Sequence, residues 1–159
     1  MTKNKEGLRR ETVPYLYRKK KEPTPTGSCL ILITPDSERT MCNFLGTAGK
    51  INHLDVDENH IKNAQLVFLE GYLWDEGDPK NAFDKAITHS RRVAMSLSDL
   101  FCVERHKAHF FELVKNQLDI IFANEQEITS LINAKSFNDV VIFSKGIKKT
   151  VIITRGKKD

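Results

Sequence analysis

The sequence predicts an α/β fold: a mostly parallel sheet with crossover helices, joined to one β-hairpin. Short apolar runs at 66–69, 93–97, 118–122 and 151–154 are separated by longer stretches of helical patterning, the alternation that parallel strands and crossover helices produce. Ahead of them, two runs of β-branched and aliphatic residues flank Thr34-Pro35-Asp36-Ser37-Glu38-Arg39, a turn sequence, which predicts a hairpin over 29–33 and 40–45. With 159 residues, 40% of them apolar, the chain is long enough to bury one core.

In chain order, residues 1–25 have little apolar content and run into Glu22-Pro23-Thr24-Pro25-Thr26-Gly27, so they predict a basic, poorly ordered arm. Residues 26–159 form the predicted domain, with the hairpin occupying 26–46. A short helix is expected over 57–64. A longer one over 78–91 has Asp78 as its N-cap and Pro79 in the first position, where proline's missing N–H costs nothing. Residues 99–116 predict one or two helices, 125–132 another, and 136–145 the last, capped by Ser136.

Composition narrows the function classes. No run of about 18 apolar residues is present to span a bilayer, and the first thirty residues are charged, so the expected setting is the cytoplasm, without a membrane. Cys29, Cys42 and Cys102 are odd in number, widely spaced and free of any CxxC pair, which predicts reduced, buried or half-buried thiols. Of the net charge of +4, residues 1–21 supply +6, from eight Lys or Arg against two acids. Arg18, Lys19, Lys20 and Lys21 carry no interleaved aromatics for base stacking, so a solvated segment is favoured over a nucleic-acid surface.

In a parallel sheet, chemistry belongs at the C-terminal strand ends, where helix N-termini offer N–H groups to anions. Ala123-Asn124-Glu125-Gln126-Glu127 follows a strand and opens a helix, placing Asn124 and Glu127 on one side of its first turn. Such a pair can put an amide on a phosphate or metal-bound water and a carboxylate near Mg²⁺. It can equally form a capping box, and spacing alone favours the box. Thr154-Arg155-Gly156 ends the final strand and offers a hydroxyl and a backbone amide to a phosphate, or makes a simple turn. His106, His109 and Glu112 recur at three-residue steps, a spacing that drifts around a helix, so a polar outer face is favoured over zinc. Ser98-Asp99 reads first as a helix cap. Trp74 suits stacking on a ring or packing equally, and the acidic residues Glu70, Asp75, Glu76 and Asp78 read as loop solvation and capping.

Taken in order, Thr26-Gly27-Ser28-Cys29, the turn Thr34 to Met41, Leu69-Glu70-Gly71-Tyr72-Leu73-Trp74-Asp75, Ser96-Leu97-Ser98-Asp99, Ala123-Asn124-Glu125-Gln126-Glu127 and Val151-Ile152-Ile153-Thr154-Arg155-Gly156 resemble the ribokinase (PfkB-type) carbohydrate kinases. The likeness is strongest to their adenosine-kinase-like bacterial members and runs from about Thr24 to the C-terminus. It implies a ribokinase-like, Rossmann-like sheet, with ATP and Mg²⁺ as cofactors and a sugar or nucleoside as acceptor. Asn124 and Glu127 match the family's N-x-x-E motif, which helps place Mg²⁺ and the ATP phosphates, with Glu127 on the metal side. Thr154 and Gly156 match the strand-end motif near the phosphates. The hairpin resembles part of the lid over the sugar, and Arg39 falls on that substrate side.

Full members of the family are about twice this length and carry two features these residues lack. One is an upstream segment bearing glycine and asparagine that holds sugar hydroxyls. The other is a downstream G-A-G-D motif, whose helix N-terminus forms an anion hole and whose aspartate is the general base. The expectation is therefore an internal fragment, incomplete at both ends, inactive alone, and either a remnant of a kinase or a nucleotide-binding or interaction module. Strand edges and apolar surface left uncovered predict self-association.

Overall fold

The computed structural model describes residues 2–14, 22–75 and 78–156. The first element is α1 (Thr2–Arg10). A helix thus occupies part of the stretch expected as a poorly ordered arm. Lys, Glu, Leu and Arg are good helix formers, and Arg9 and Arg10 sit in the last turn, where the helix dipole favours cations. The basic residues 18–21 lie outside the described residues.

The hairpin pairs β1 (Thr26–Ile33) with β2 (Arg39–Gly46) antiparallel, Thr26 opposite Gly46 and Ile33 opposite Arg39. Its turn is closed by Asp36, which accepts from the Thr34 hydroxyl and from the Glu38 N–H. Every residue of β1 is exposed, including Leu30 at 62% and Ile33 at 69%. Cys29 and Cys42 lie on this hairpin and are exposed too; only Cys102 is buried. The expectation of three sheltered thiols is corrected, because neither face of the hairpin is covered.

Gly46 turns the chain from the hairpin into a 3-10 turn (Thr47–Lys50) with φ 59° and ψ −134°. A Cβ there would lie 2.8 Å from the Thr26 carbonyl carbon and 2.9 Å from the Gly27 nitrogen, so only glycine fits. The Thr47–Lys50 turn is the hairpin's principal contact with the rest of the chain.

The main sheet is four-stranded and parallel in the order β3 (Val67–Glu70), β4 (Val93–Ser96), β5 (Ile120–Asn124) and β6 (Thr150–Thr154). Before it comes α2 (Glu58–Asn63), capped by Asp57. Between β3 and β4 lie a 3-10 turn (Gly71–Asp75) and α3 (Pro79–His89). Pro79 takes the first turn as expected. Asp78, however, spends its carboxylate on the Asn81 side-chain amide at 2.7 Å and makes no backbone cap. Between β4 and β5 come α4 (Leu100–Arg105), α5 (Lys107–Glu112) and a π-helical turn (Leu113–Gln117). Between β5 and β6 come α6 (Glu125–Ile132) and α7 (Phe137–Gly146). Ser136 caps α7 in a capping box with Asp139.

Spatial order equals chain order, so every crossover steps the same way. Right-handed crossovers, the general rule, then place the connecting helices α3 to α7 on one face. The core is accordingly one cluster in which Val67, Leu69, Val93, Met95 and Ile121 of the strands meet Phe83, Val103, Phe110, Leu113, Ile128 and Val140 of the helices. Alternation sends Phe68, Ala94, Phe122 and Ile152 to the opposite face. There Phe68 and Phe122 meet edge to face at 5.9 Å across the small Ala94. Phe68 remains 52% and Ile152 42% exposed. Among the described residues no helix is long and apolar enough to cross a membrane.

Candidate functional site

The C-terminal end of β5 carries the most organised polar structure. Asn124 leaves the strand with extended dihedrals (φ −88°, ψ 170°), as an N-cap does. Its side-chain carbonyl accepts from the Glu127 N–H at 2.8 Å, while Glu127 Oε2 accepts from the Asn124 N–H at 2.9 Å and Glu127 Oε1 from the Asn124 Nδ2 at 2.7 Å. The capping box foreseen from spacing is therefore present. Glu127 is only 4% exposed. Burial raises its pKa above the ordinary carboxylate value, the Asn124 backbone N–H opposes the rise, and the charge of Asp99 adds to it.

The second anchor arrives by strand pairing. β6 aligns with β5 so that Asn124 lies opposite Thr154. Two residues on, Gly156 adopts φ 64°, a left-handed turn with no heavy atom within 4 Å of where a Cβ would stand. Between the α6 N-terminus and this turn opens a groove of about 450 Å³, lined by Asn124, Glu125, Gln126, Thr129, Arg155 and Gly156. The sequence-predicted residues Asn124 and Gly156 thus share one wall-to-wall space. Thr154 stands beside Asn124 in register, and Glu127 stands behind Asn124, not among the lining residues.

Arg155 gives the groove its positive charge. Its Nε donates to Glu125 Oε2 at 3.2 Å, and its guanidinium lies over the Phe137 ring at 3.8 Å from the centroid. Sequence reasoning gave this trio no role. A pair 30 residues apart leaves no local spacing signal; an arginine inside a strand-end tripeptide was the available hint.

Other candidates are not brought to the groove. Arg39 sits at the turn end of the hairpin opposite Ile33, outside the lining set. His109 stacks on Trp74 at 4.4 Å, His106 lies 5.8 Å from the Phe110 ring, and Glu112 accepts from Asn116 at 2.7 Å. His109 is therefore part of a packed aromatic group and not of a polar outer face. Among the described residues no group of three or more His, Cys, Asp or Glu could hold a metal ion. Trp74, 8% exposed, packs against Phe83 and Phe110, which decides for packing over ligand stacking. Asp99 caps α4 through the Cys102 N–H at 2.7 Å. Ser98, with φ 74°, donates its hydroxyl to Glu70 at 3.1 Å and accepts the Tyr72 N–H at 3.1 Å, tying the ends of β3 and β4 together.

The fold that carries this groove recurs in solved structures. A probable sugar kinase protein from Rhizobium etli CFN 42 superposes with a TM-score of 0.83 at 32% identity, over 95% of this chain and 47% of that one. The adenosine kinase from Sinorhizobium meliloti does so at 0.83 and 31%, over 96% and 48%. Anopheles gambiae adenosine kinase in complex with P1,P4-di(adenosine-5) tetraphosphate gives 0.71 over 97% of this chain and 53% of that one, and at 24% identity the likeness concerns the fold. The chain spans about half the length of these relatives. A search of the curated proteins found no match. The pfkB family carbohydrate kinase profile matches residues 3–159, and the chain belongs to that family.

Proposed function

We propose that these residues form the nucleotide side of an ATP-dependent sugar or nucleoside kinase, and that the groove between α6 and the β6 end receives the ATP phosphates. The in-register pairing of Asn124 with Thr154 carries this reading, since it gathers two segments 30 residues apart around one space. The α6 N-terminus favours an anion there, and the Gly156 turn lets the backbone approach it closely. Asn124 and Thr154 would orient the phosphates.

The donor set suits a magnesium ion that enters with its nucleotide. One carboxylate, Glu127, with both oxygens already hydrogen-bonded, is too little for an all-protein cage, whereas Mg²⁺ keeps waters and leans on one or two carboxylates plus substrate phosphates. Glu127 would therefore hold it through water. When bound, the ion neutralises charge that develops on the transferring phosphoryl group. The acceptor is a sugar or nucleoside hydroxyl, and Arg39 is the hairpin residue proposed to face it.

The 159 residues contain no G-A-G-D sequence, so by themselves they are proposed to bind MgATP without turnover. Calorimetry with MgATP, followed by phosphotransfer assays over a panel of sugars and nucleosides, tests both parts. Turnover above background sinks the inactivity, and absence of heat sinks the nucleotide site. The reading also places the protein in the cytoplasm, where ATP and reduced thiols coexist, in keeping with three free cysteines.

A second reading, an interaction module, is favoured by the exposed hairpin residues Leu30 and Ile33 and by Phe68 and Ile152 on the helix-free sheet face. Association of the chain with itself through these surfaces is its measurable form.

A further inference from the structure

Among the described residues Arg155 is the one cationic side chain lining the groove, and it is held on two sides. Phe137 supports the flat face of the guanidinium at 3.8 Å, and Glu125 takes its Nε at 3.2 Å. A planar guanidinium carries more N–H donors than that contact uses and matches phosphate oxygens as well as carboxylate oxygens. Glu125, its partner, is also a wall of the groove, so a carboxylate stands where a polyphosphate would bring its own negative charge. Two anions cannot share the space without repulsion. The stack on Phe137 does not depend on Glu125 and can keep the guanidinium in place when the carboxylate withdraws.

We propose that Arg155 is a phosphate-binding residue and that Glu125 is its built-in competitor: an entering nucleotide polyphosphate takes the guanidinium from Glu125, while Phe137 holds it level. This rests on the reading of the groove as a nucleotide-phosphate site. The consequence is opposite signs for two substitutions that break the same ion pair. Arg155→Met removes the phosphate's partner, and Glu125→Gln removes the phosphate's rival.

The test is calorimetric titration of the whole 159-residue chain with MgATP, and with adenosine as a phosphate-free probe. Relative to the unsubstituted chain, Arg155→Met should weaken MgATP by about ten- to a hundredfold, the size of a lost charge-assisted hydrogen bond. Arg155→Lys should fall between, because it keeps the charge and loses the fork and the stack. Glu125→Gln should bind MgATP several-fold more tightly, and adenosine should respond to none of the changes. Equal MgATP affinity in Arg155→Met overturns the assignment alone. Glu125→Gln binding no tighter than the unsubstituted chain overturns the exchange, since a purely structural ion pair would weaken binding from either side. No MgATP binding by the unsubstituted chain overturns the nucleotide reading itself and Arg155's role with it.

Discussion

Asn124 and Glu127 are bound to one another by three hydrogen bonds, each residue's side chain satisfying the other's backbone N–H and the two side chains meeting directly. A capping box is normally a local stability device. Here it also fixes the rotamer of a groove-lining asparagine from a buried position behind it. Glu127→Ala should therefore cost about 2–3 kcal/mol, because the Asn124 N–H and Nδ2 lose their acceptors while the Asn124 cap on the residue-127 N–H remains. Glu127→Gln retains one acceptor oxygen and should cost about 1 kcal/mol. Urea denaturation of the three proteins checks the order.

On the proposed reading of the groove, magnesium should strengthen nucleotide binding. If Glu127 holds the ion only through water and the phosphates complete its shell, ATP with excess EDTA should bind more weakly than MgATP by about tenfold. That difference should shrink in Glu127→Gln, which calorimetry on both proteins measures.

His109 supplies a pH signature. Burial against Trp74 lowers its pKa from 6.5, with Lys80 and His106 helping and Asp84 opposing. A lowered pKa means that the folded state prefers neutral imidazole. Its stabilising share is fully present above 6.5 and is lost as pH falls through the folded pKa. The thermal midpoint should drop between about pH 7.5 and pH 5.5, and His109→Gln should remove part of the drop. Trp74, the single tryptophan, reports the transition by fluorescence.

Gly46 should be intolerant. Gly46→Ala puts a methyl into the backbone of Thr26 and Gly27 at a dihedral pair that side chains avoid, a cost of about 1–3 kcal/mol. Because the hairpin meets the rest chiefly through the turn Gly46 opens, the loss should be local. Amide exchange should accelerate in β1 and β2 and stay unchanged in β3 to β6.

The helix-free sheet face should drive association. Sedimentation of the unsubstituted chain should show a weight average that rises with concentration, and Phe68→Glu with Ile152→Glu should abolish the rise. Ile152→Glu should move folding stability by about 0.5 kcal/mol, and Phe68→Glu, which loses the edge-to-face contact with Phe122, by about 1 kcal/mol.

Much of this molecule was legible in its residues alone, because the signals involved are local. Apolar period and turn chemistry located the hairpin and all four parallel strands to within a few residues, and the Asn124 to Glu127 spacing, taken alone, favoured the capping box that is present. Local signals also misled in particular places. Low apolar content argued against a helix at Thr2–Arg10, where one is present. Asp78 looked like a cap but preferred Asn81, and a three-residue histidine rhythm suggested a polar face where His109 in fact packs on Trp74.

What only the tertiary structure decided was adjacency. Strand register alone sets Thr154 beside Asn124, the one-way order of the strands leaves Phe68 and Ile152 exposed on one sheet face, and the pairing of β6 with β5 brings Arg155 to Glu125 and Phe137. The physical reason is range. Caps, turns and amphipathic periods are written within a few residues, whereas a groove is made of side chains from distant segments, and the energies that align those segments belong to the whole core.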